Sequence, residues 1–483
     1  MNTYSISCKA KSIFGLILFC IGVFAYQPAF SKDLNTPKNI IILFADGTTN
    51  SQYEFGRYSS NLLRNKSFAV TDEVMSKGQF QLMKTESANY FVTDSAAAAS
   101  AMSIGYKVNN GSISVTPDGK TPPTLMRIAK ERGKRIGLIS TAPVYDASPA
   151  AFSVHAKSRR DSENIVNQYL DLLPEVLMGG GSNYFLPVTQ AGGKRKDGKN
   201  MIEEFQSKGY RYLSTPEELY QSNSSKLLGL FASEDMDYEI DRNPKEMPSL
   251  ASMLSAGLKA LNQPNVKTKN SGFVLFVENE NTDSAGHQND VAALMRDLWA
   301  FDDAVKVALD FQKANPDTLI IVTGDHETGG FSPTYGRKNL GLAGPNNYQN
   351  VDLVQLKQIE RYTMSLNEFS AKFKEKIKVG ASAKELDGYL SSLLDEGFPG
   401  LVLDDDLREK ILTQGQLGPN SNYLPSNILA LAISRQTGFY WASSGHTPAP
   451  ITVAAIGPGS SIFKGIDDNT AFAYKLNRLI GQK

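Results

Sequence analysis

Five short apolar runs, at residues 40–45, 136–139, 273–277, 319–322 and 451–456, are unbroken and rich in β-branched side chains. A strand with one wet face alternates apolar and polar residues, whereas a run that does not alternate is buried on both faces. Between the runs, residues 124–132, 250–261 and 291–311 are patterned as helices, with Leu294, Leu298 and Phe301 on one face of the last. Strands alternating with helices predict an α/β fold: a three-layer α/β/α arrangement around a large, mostly parallel central sheet. Residues 331–440 break the alternation. Short amphipathic patterns at 365–379, 383–396 and 407–412, with few strand signals, predict a helical and loop cap inserted between two parts of the core.

The chain's 483 residues would suit two or three average domains or one large α/β domain with an insertion. Its 50 basic residues balance 50 acidic ones and no long basic run appears, which argues against nucleic acid as a partner. Lys9 and Lys11 precede an apolar stretch at 13–25, and Ala29-Phe30-Ser31 supplies small residues at a cleavage spacing. Residues 1–31 therefore read as a secretory signal peptide, with export to a periplasm or the medium. The stretch is short for a membrane span, so no stable anchor is expected after cleavage. Cys20 follows the bulky Phe19, which makes a poor lipoprotein site, and no twin arginine is present. Cys8 and Cys20 both lie in this segment, leaving the mature chain without a disulfide. Removal of two lysines and no acid takes the formal charge from 0 to about −2. The domain reading is signal 1–31, core 32–330, insertion 331–440, and the C-terminal part of the core 441–483.

Three of the apolar runs end in acids: the first in Asp46-Gly47, another in Glu278, another in Thr323-Gly324-Asp325-His326. In an open parallel sheet, ligands bind beyond the carboxyl ends of the strands, so these acids converge on one edge. The chain has only four histidines. His287 in Asp283-Ser284-Ala285-Gly286-His287 and His326 in Asp325-His326-Glu327 follow such runs closely; His446 lies in Ser444-Gly445-His446-Thr447. Imidazole with carboxylate is a natural zinc ligand set. Each histidine taken singly could equally be a loop or a hydrogen-bonded core residue.

Thr93-Asp94-Ser95-Ala96-Ala97-Ala98-Ala99 opens a helix-favouring alanine run. Taken alone, Asp94 or Ser95 would be a capping residue. Ser95 also faces the first unpaired N–H groups of a helix, a favourable place for an anion.

Together with Asp46-Gly47, Asp325-His326 and His446, this segment resembles the alkaline phosphatase family, whose landmarks run in order from residue 39 to about 460. By that resemblance Ser95 is the nucleophile that forms a phosphoserine intermediate in the hydrolysis of phosphate monoesters. The resemblance implies two Zn²⁺ and one Mg²⁺. One zinc falls to Asp283, His287 and His446, the other to Asp46, Asp325 and His326, and magnesium to Asp46, Ser148 and Glu278. Asp146 corresponds to the residue that orients magnesium-bound water. Arg159 in Ser158-Arg159 matches the phosphate-binding arginine, although Arg160 stands beside it and the assignment rests on spacing from Asp146. A homodimer is also implied. Zinc lowers the pKa of a coordinated hydroxyl, and two metals about 4 Å apart stabilise the attacking and leaving oxygens of an in-line displacement. Arginine's planar fork suits two phosphate oxygens.

Ser148 before a proline could otherwise be a turn residue, His155 reads as structural, and Glu327 and Glu280 read as surface or supporting acids. The chain departs from the family pattern at Thr48-Thr49, Asn279 and Ser284, which bears on affinity and magnesium dependence. A phosphodiesterase of the same superfamily and a non-catalytic extracellular zinc-binding protein are the competing readings. Glu278, Ser148 and Arg159 favour the monoesterase over the diesterase, and Ser95 with the full ligand set argues against the silent protein. A sulfatase is excluded, because Ser95 is followed by alanines and the mature chain has no cysteine.

Overall fold

The computed structural model describes residues 35–264, 271–337, 348–415 and 424–481. The export segment read at 1–31 lies outside the described residues. The described residues form one compact unit. Among the described residues no helix is long and apolar enough to cross a membrane.

A ten-stranded sheet spans this unit. In chain order its first eight strands are β1 (Asn39–Ala45), β2 (Gln79–Lys84), β3 (Arg135–Pro143), β4 (Val176–Gly180), β5 (Arg211–Leu213), β6 (Leu227–Leu230), β7 (Phe273–Asn279) and β8 (Thr318–Thr323). Ile451–Ile456 and Gly465–Asp468 complete it. Across the sheet the order is Gly465–Asp468, β2, Ile451–Ile456, β8, β1, β7, β3, β4, β6, β5. Ile451–Ile456 alone runs against its neighbours, and every other pairing is parallel. The predicted three-layer α/β/α fold with a mostly parallel sheet is the fold observed.

All seven residues of β1 and of β7 are buried, as their unbroken apolar character requires. Successive side chains enter opposite layers. Ile41, Leu43, Leu275 and Val277 join a core beneath the helices Leu250–Leu261 and Val291–Ala314. Ile40, Ile42, Phe44 and Phe276 join the other, under the helices Ser95–Ile104, Leu125–Glu131 and Thr470–Ile480. Register sets Phe44 beside Glu278 and beside Thr323, which brings the acid-bearing ends of β1, β7 and β8 level.

Between residues 331 and 440 lie the helices Leu353–Glu360, Leu366–Lys378, Ala383–Gly397, Asp405–Leu412 and Ser426–Thr437. Short antiparallel pairs, Ser332–Pro333 with Phe439–Tyr440 and Tyr335–Arg337 with Tyr348–Asn350, accompany them. Leu356, Phe369, Leu390 and Ile428 pack into the same cluster as one face of the sheet, so this segment shares the core's apolar layer.

Candidate active site

Asp46 leaves β1 into a tight turn at Gly47, whose φ is +66°. A Cβ at Gly47 would stand 2.6 Å from Asp283 Oδ1, so the turn brings the chain against the next acid-bearing loop. Ser148, in the short helix Ala147–Ala151 after β3, donates to Asp46 Oδ2 at 3.4 Å. Glu278 at the end of β7 is 1% exposed and accepts from Ser140 Oγ at 2.5 Å. Burial lifts its carboxyl to about 8 against that hydrogen bond. Burial also pushes Asp46 well above the ordinary range, and the charges of Asp325, Asp283 and Glu278 push it further.

The helix Asn281–Gln288 starts just beyond β7 and spaces Asp283 and His287 one turn apart. Their Oδ2 and Nε2 atoms are 3.2 Å apart. His446 Nε2 lies 3.1 Å from His287 Nε2 and 3.8 Å from Asp283 Oδ1. The Nδ1 atoms of His287 and His446 sit on the backbone carbonyls of Ser444 at 2.7 Å and Thr93 at 2.8 Å. A ring whose Nδ1–H is held by a carbonyl turns the Nε2 lone pair to the centre, the orientation of a metal-ligating histidine. Burial opposes the Asp283 charge, but the neighbouring His287, then His446 and His326, hold that carboxyl well below its usual value.

Asp325 and His326, beyond β8, are fully buried. His326 Nε2 is 3.2 Å from Asp325 Oδ2, 3.6 Å from Asp46 Oδ1 and 3.1 Å from Ser95 Oγ. Its other nitrogen lies 3.9 Å from Asp283 Oδ1, and its ring stacks on His446 with centroids 3.7 Å apart. Burial, then the His446 charge, pushes its pKa well below the usual value. Burial raises Asp325 to about 7. Among the described residues, two groups have ligand atoms all within 4.8 Å of one another: Asp46, Asp325 and His326, and Asp283, His326 and His446. His326 thus stands between both groups, and His287 borders the second.

Ser95 begins its helix after Asp94, which caps it by accepting from Ala97 N–H at 3.0 Å. Arg159 bridges two elements. Its Nη2 is 3.1 Å from Asp146 Oδ1 and its Nη1 is 3.5 Å from Asp94 Oδ2, beside Ser95. Burial works against its charge, yet Asp146 and Asp94 raise its pKa above the ordinary value. Every residue singled out for the site from the sequence therefore lies in one cluster at the carboxyl ends of the central strands.

His155 is apart from it, with Nε2 on the Pro122 carbonyl at 2.8 Å. Glu327 is no surface acid. It is 2% exposed and accepts from Gln52 Nε2 at 2.7 Å, Thr447 Oγ1 at 2.5 Å, Gly330 N–H at 3.0 Å and Phe331 N–H at 3.1 Å. Sequence reasoning missed Gln52, which in the structure also closes a capping box with Thr49 at the start of its helix. It also missed Thr328, whose hydroxyl bonds Asp283 and approaches His326 Nδ1 at 3.2 Å. The departures have local roles: Asn279 Nδ2 donates to the Asp297 carbonyl at 2.9 Å, and Ser284 Oγ donates to Glu280 Oε1 at 2.8 Å.

These donors fit divalent cations. Asp46 Oδ1 and Asp325 Oδ2 are buried without a hydrogen-bond partner, an expensive state for a carboxylate that a cation relieves. The mixed imidazole and carboxylate set suits zinc, whereas the all-oxygen set of Asp46, Ser148 and Glu278 suits magnesium.

Comparison with known proteins agrees with this chemistry. The family model described as alkaline phosphatase matches residues 37–481. Alkaline phosphatase 3 of Bacillus subtilis is 33% identical over 445 residues, covering 90% of this chain and 87% of its own. Alkaline phosphatase of Escherichia coli is 32% identical over 337 residues, covering 60% of this chain and 70% of its own. The crystal structure of Thermus thermophilus alkaline phosphatase superposes with a TM-score of 0.78 at 30% identity, covering 92% of this chain and 91% of that one. A cold-active alkaline phosphatase from a psychrophilic Shewanella follows at 0.72 and 28%, covering 92% of this chain and 100% of that one. The chain belongs to the alkaline phosphatase family and is a phosphomonoester hydrolase.

Proposed function

We propose that this enzyme hydrolyses phosphate monoesters through a phosphoserine formed on Ser95, at a site holding two Zn²⁺ and one Mg²⁺. Asp283, His287 and His446 would hold one zinc, Asp46, Asp325 and His326 the other, and Asp46, Ser148 and Glu278 the magnesium. When bound, these ions supply positive charge that favours the Ser95 alkoxide and offsets charge on the phosphoryl group. Arg159 receives two non-bridging phosphoryl oxygens on its planar fork. Asp94 and Asp146 fix that fork from either side, so its orientation is set before substrate arrives. Ser95 Oγ attacks phosphorus in line, the P–O bond to the ester oxygen breaks, and the alcohol leaves. Water then attacks the phosphoserine, releasing phosphate and restoring the serine. Such transfer depends on positioning and charge stabilisation more than on covalent help from the protein.

The observation that carries this reading is the 3.1 Å approach of Ser95 Oγ to His326 Nε2 amid buried carboxylate oxygens that have no hydrogen-bond partner. Replacing Ser95 by alanine is expected to remove nearly all hydrolysis while leaving bound zinc unchanged by elemental analysis. An alanine enzyme that turned over phosphate esters normally would refute the nucleophile. A clear preference for a diester over a monoester of the same alcohol would refute the substrate class. The reading also includes export directed by residues 1–31 and a homodimer; secretion of a fused reporter and sedimentation of the mature chain test these.

A further inference from the structure

Arg159 and its neighbour Arg160 line one cavity of about 740 Å³, which Asp94, Asp146, Tyr145 and Tyr184 also line. The two arginines differ in electrostatic situation. Arg159 faces two carboxylates, Asp146 at 3.1 Å and Asp94 at 3.5 Å, so its single charge is already shared. Arg160 is exposed, and its backbone N–H is held by Ser158 Oγ at 3.3 Å. Among the described residues its guanidinium makes no ion pair, although the chain has as many acids as bases.

Two tyrosines of the lining are tied to neighbouring residues. Tyr145 donates its hydroxyl to Asn183 Oδ1 at 2.5 Å, and its ring meets Tyr184 edge-on with centroids 5.1 Å apart. The fully buried Arg195 donates from Nη1 to the Tyr184 carbonyl at 3.0 Å, which fixes that residue's backbone. A preformed cavity therefore adjoins the phosphoryl position and carries a cation that a simple monoester leaves unused.

We propose that this cavity is a subsite for a second phosphate borne by the leaving group, with Arg160 as its ligand, so that bisphosphates are preferred over simple monoesters. The proposal rests on the phosphatase reading above. One phosphate occupies the Ser95 and Arg159 position and is transferred, while the other takes the Arg160 fork and stays with the departing alcohol. A guanidinium binds phosphate through paired hydrogen bonds, and partial exposure limits the gain to roughly three- to tenfold in affinity.

The test measures initial phosphate release by the zinc- and magnesium-loaded mature enzyme. It compares a series of alkanediol bisphosphates of increasing length with the matching hydroxyalkyl monophosphates. The wild-type KM should be lower for a bisphosphate of suitable length than for its monophosphate, beyond the factor that two equivalent esters contribute. In Arg160→Gln and Arg160→Ala that KM ratio should collapse to the statistical factor, and Arg160→Lys should retain part of it. Equal KM values for both series in the wild type, or an Arg160→Gln ratio unchanged from wild type, would overturn the subsite alone. An equal advantage for carboxyalkyl phosphates would overturn the assignment to a second phosphate. If the loaded enzyme cleaved neither series, the phosphatase reading would fall and the subsite with it.

Discussion

Four donors meet on the Glu327 carboxylate, two of them, Gln52 and Thr447, from distant parts of the chain, and that acid lies between the residues most in need of fixed positions. Its own residue follows His326, and its partner Thr447 follows His446. Glu327–Thr328 (β9) pairs antiparallel with His446–Thr447, so the carboxylate also buttresses the strand pair that presents both rings. Gln52 ties the same carboxylate to the capped start of the helix Asn50–Ser59. Glu327→Ala leaves several buried donors unpaired, each costing about 1–3 kcal/mol when no water replaces the lost acceptor. We expect about 3 kcal/mol or more of lost stability, with zinc content and kcat/KM falling together. Glu327→Gln keeps the shape and one acceptor and should lose less of both. Unfolding midpoints and zinc per chain check this; an alanine variant with full zinc and wild-type stability would show that the carboxylate holds nothing in place. Nothing near Glu327 in the sequence announces this role, because its partners at 52 and 447 are remote and hydrogen bonding leaves no periodicity.

Among elements, the legible ones are those whose burial is uniform. The apolar runs of β1, β7 and β8 exclude any half-wet environment, so their place in a sheet covered on both faces follows from hydrophobicity, and the structure pairs them at its middle. The helices at 125–131 and 250–261 were readable for the matching reason, a single apolar face. β2 was not, because three of its six residues are exposed. β4 and β6 are short and carry glycines, and β9 is too short to have a period. The acids at strand ends were therefore visible, while the strand pair that positions His446 was not. What joins the elements is Gly47. Its positive φ and the 2.8 Å separation between a hypothetical Cβ and the Asp283 Cα leave no room for a side chain. Gly47→Ala should push the Asp46 turn away from the Asn281–Gln288 helix. A displacement of about 1 Å at a reacting centre costs on the order of 100-fold in rate, and kcat/KM under saturating metal should fall by about that much. Wild-type kinetics in this variant would mean that the two loops can separate without disturbing the site.

At the scale of the whole molecule, the fold assembles Asp46, Asp283, Asp325 and Glu278 at the edge of one sheet, all buried. Without counter-charge this is costly: burial lifts Asp46, Asp325 and Glu278 above the ordinary carboxylate range, and only Asp283, facing the imidazoles, goes the other way. The only cysteines are Cys8 and Cys20, so no disulfide within the remainder of the chain offsets that cost. On the proposed metal reading, divalent cations bind the assembled cluster and not the unfolded chain, which links metal binding to folding thermodynamically. Each site adds about 2.7 kcal/mol when free metal exceeds its Kd by about 100-fold. Chelation should therefore lower the thermal unfolding midpoint by several degrees, and returning zinc and then magnesium should raise it in two separable steps. Asp46 belongs to both an imidazole-containing group and the oxygen-only group, so Asp46→Asn should weaken both steps at once. Ser148→Ala, which touches only the second, should weaken the magnesium step alone. Calorimetry of the chelated and reloaded forms distinguishes these outcomes, and a midpoint indifferent to chelation would show that the carboxylate cluster is stable through protonation rather than through metal.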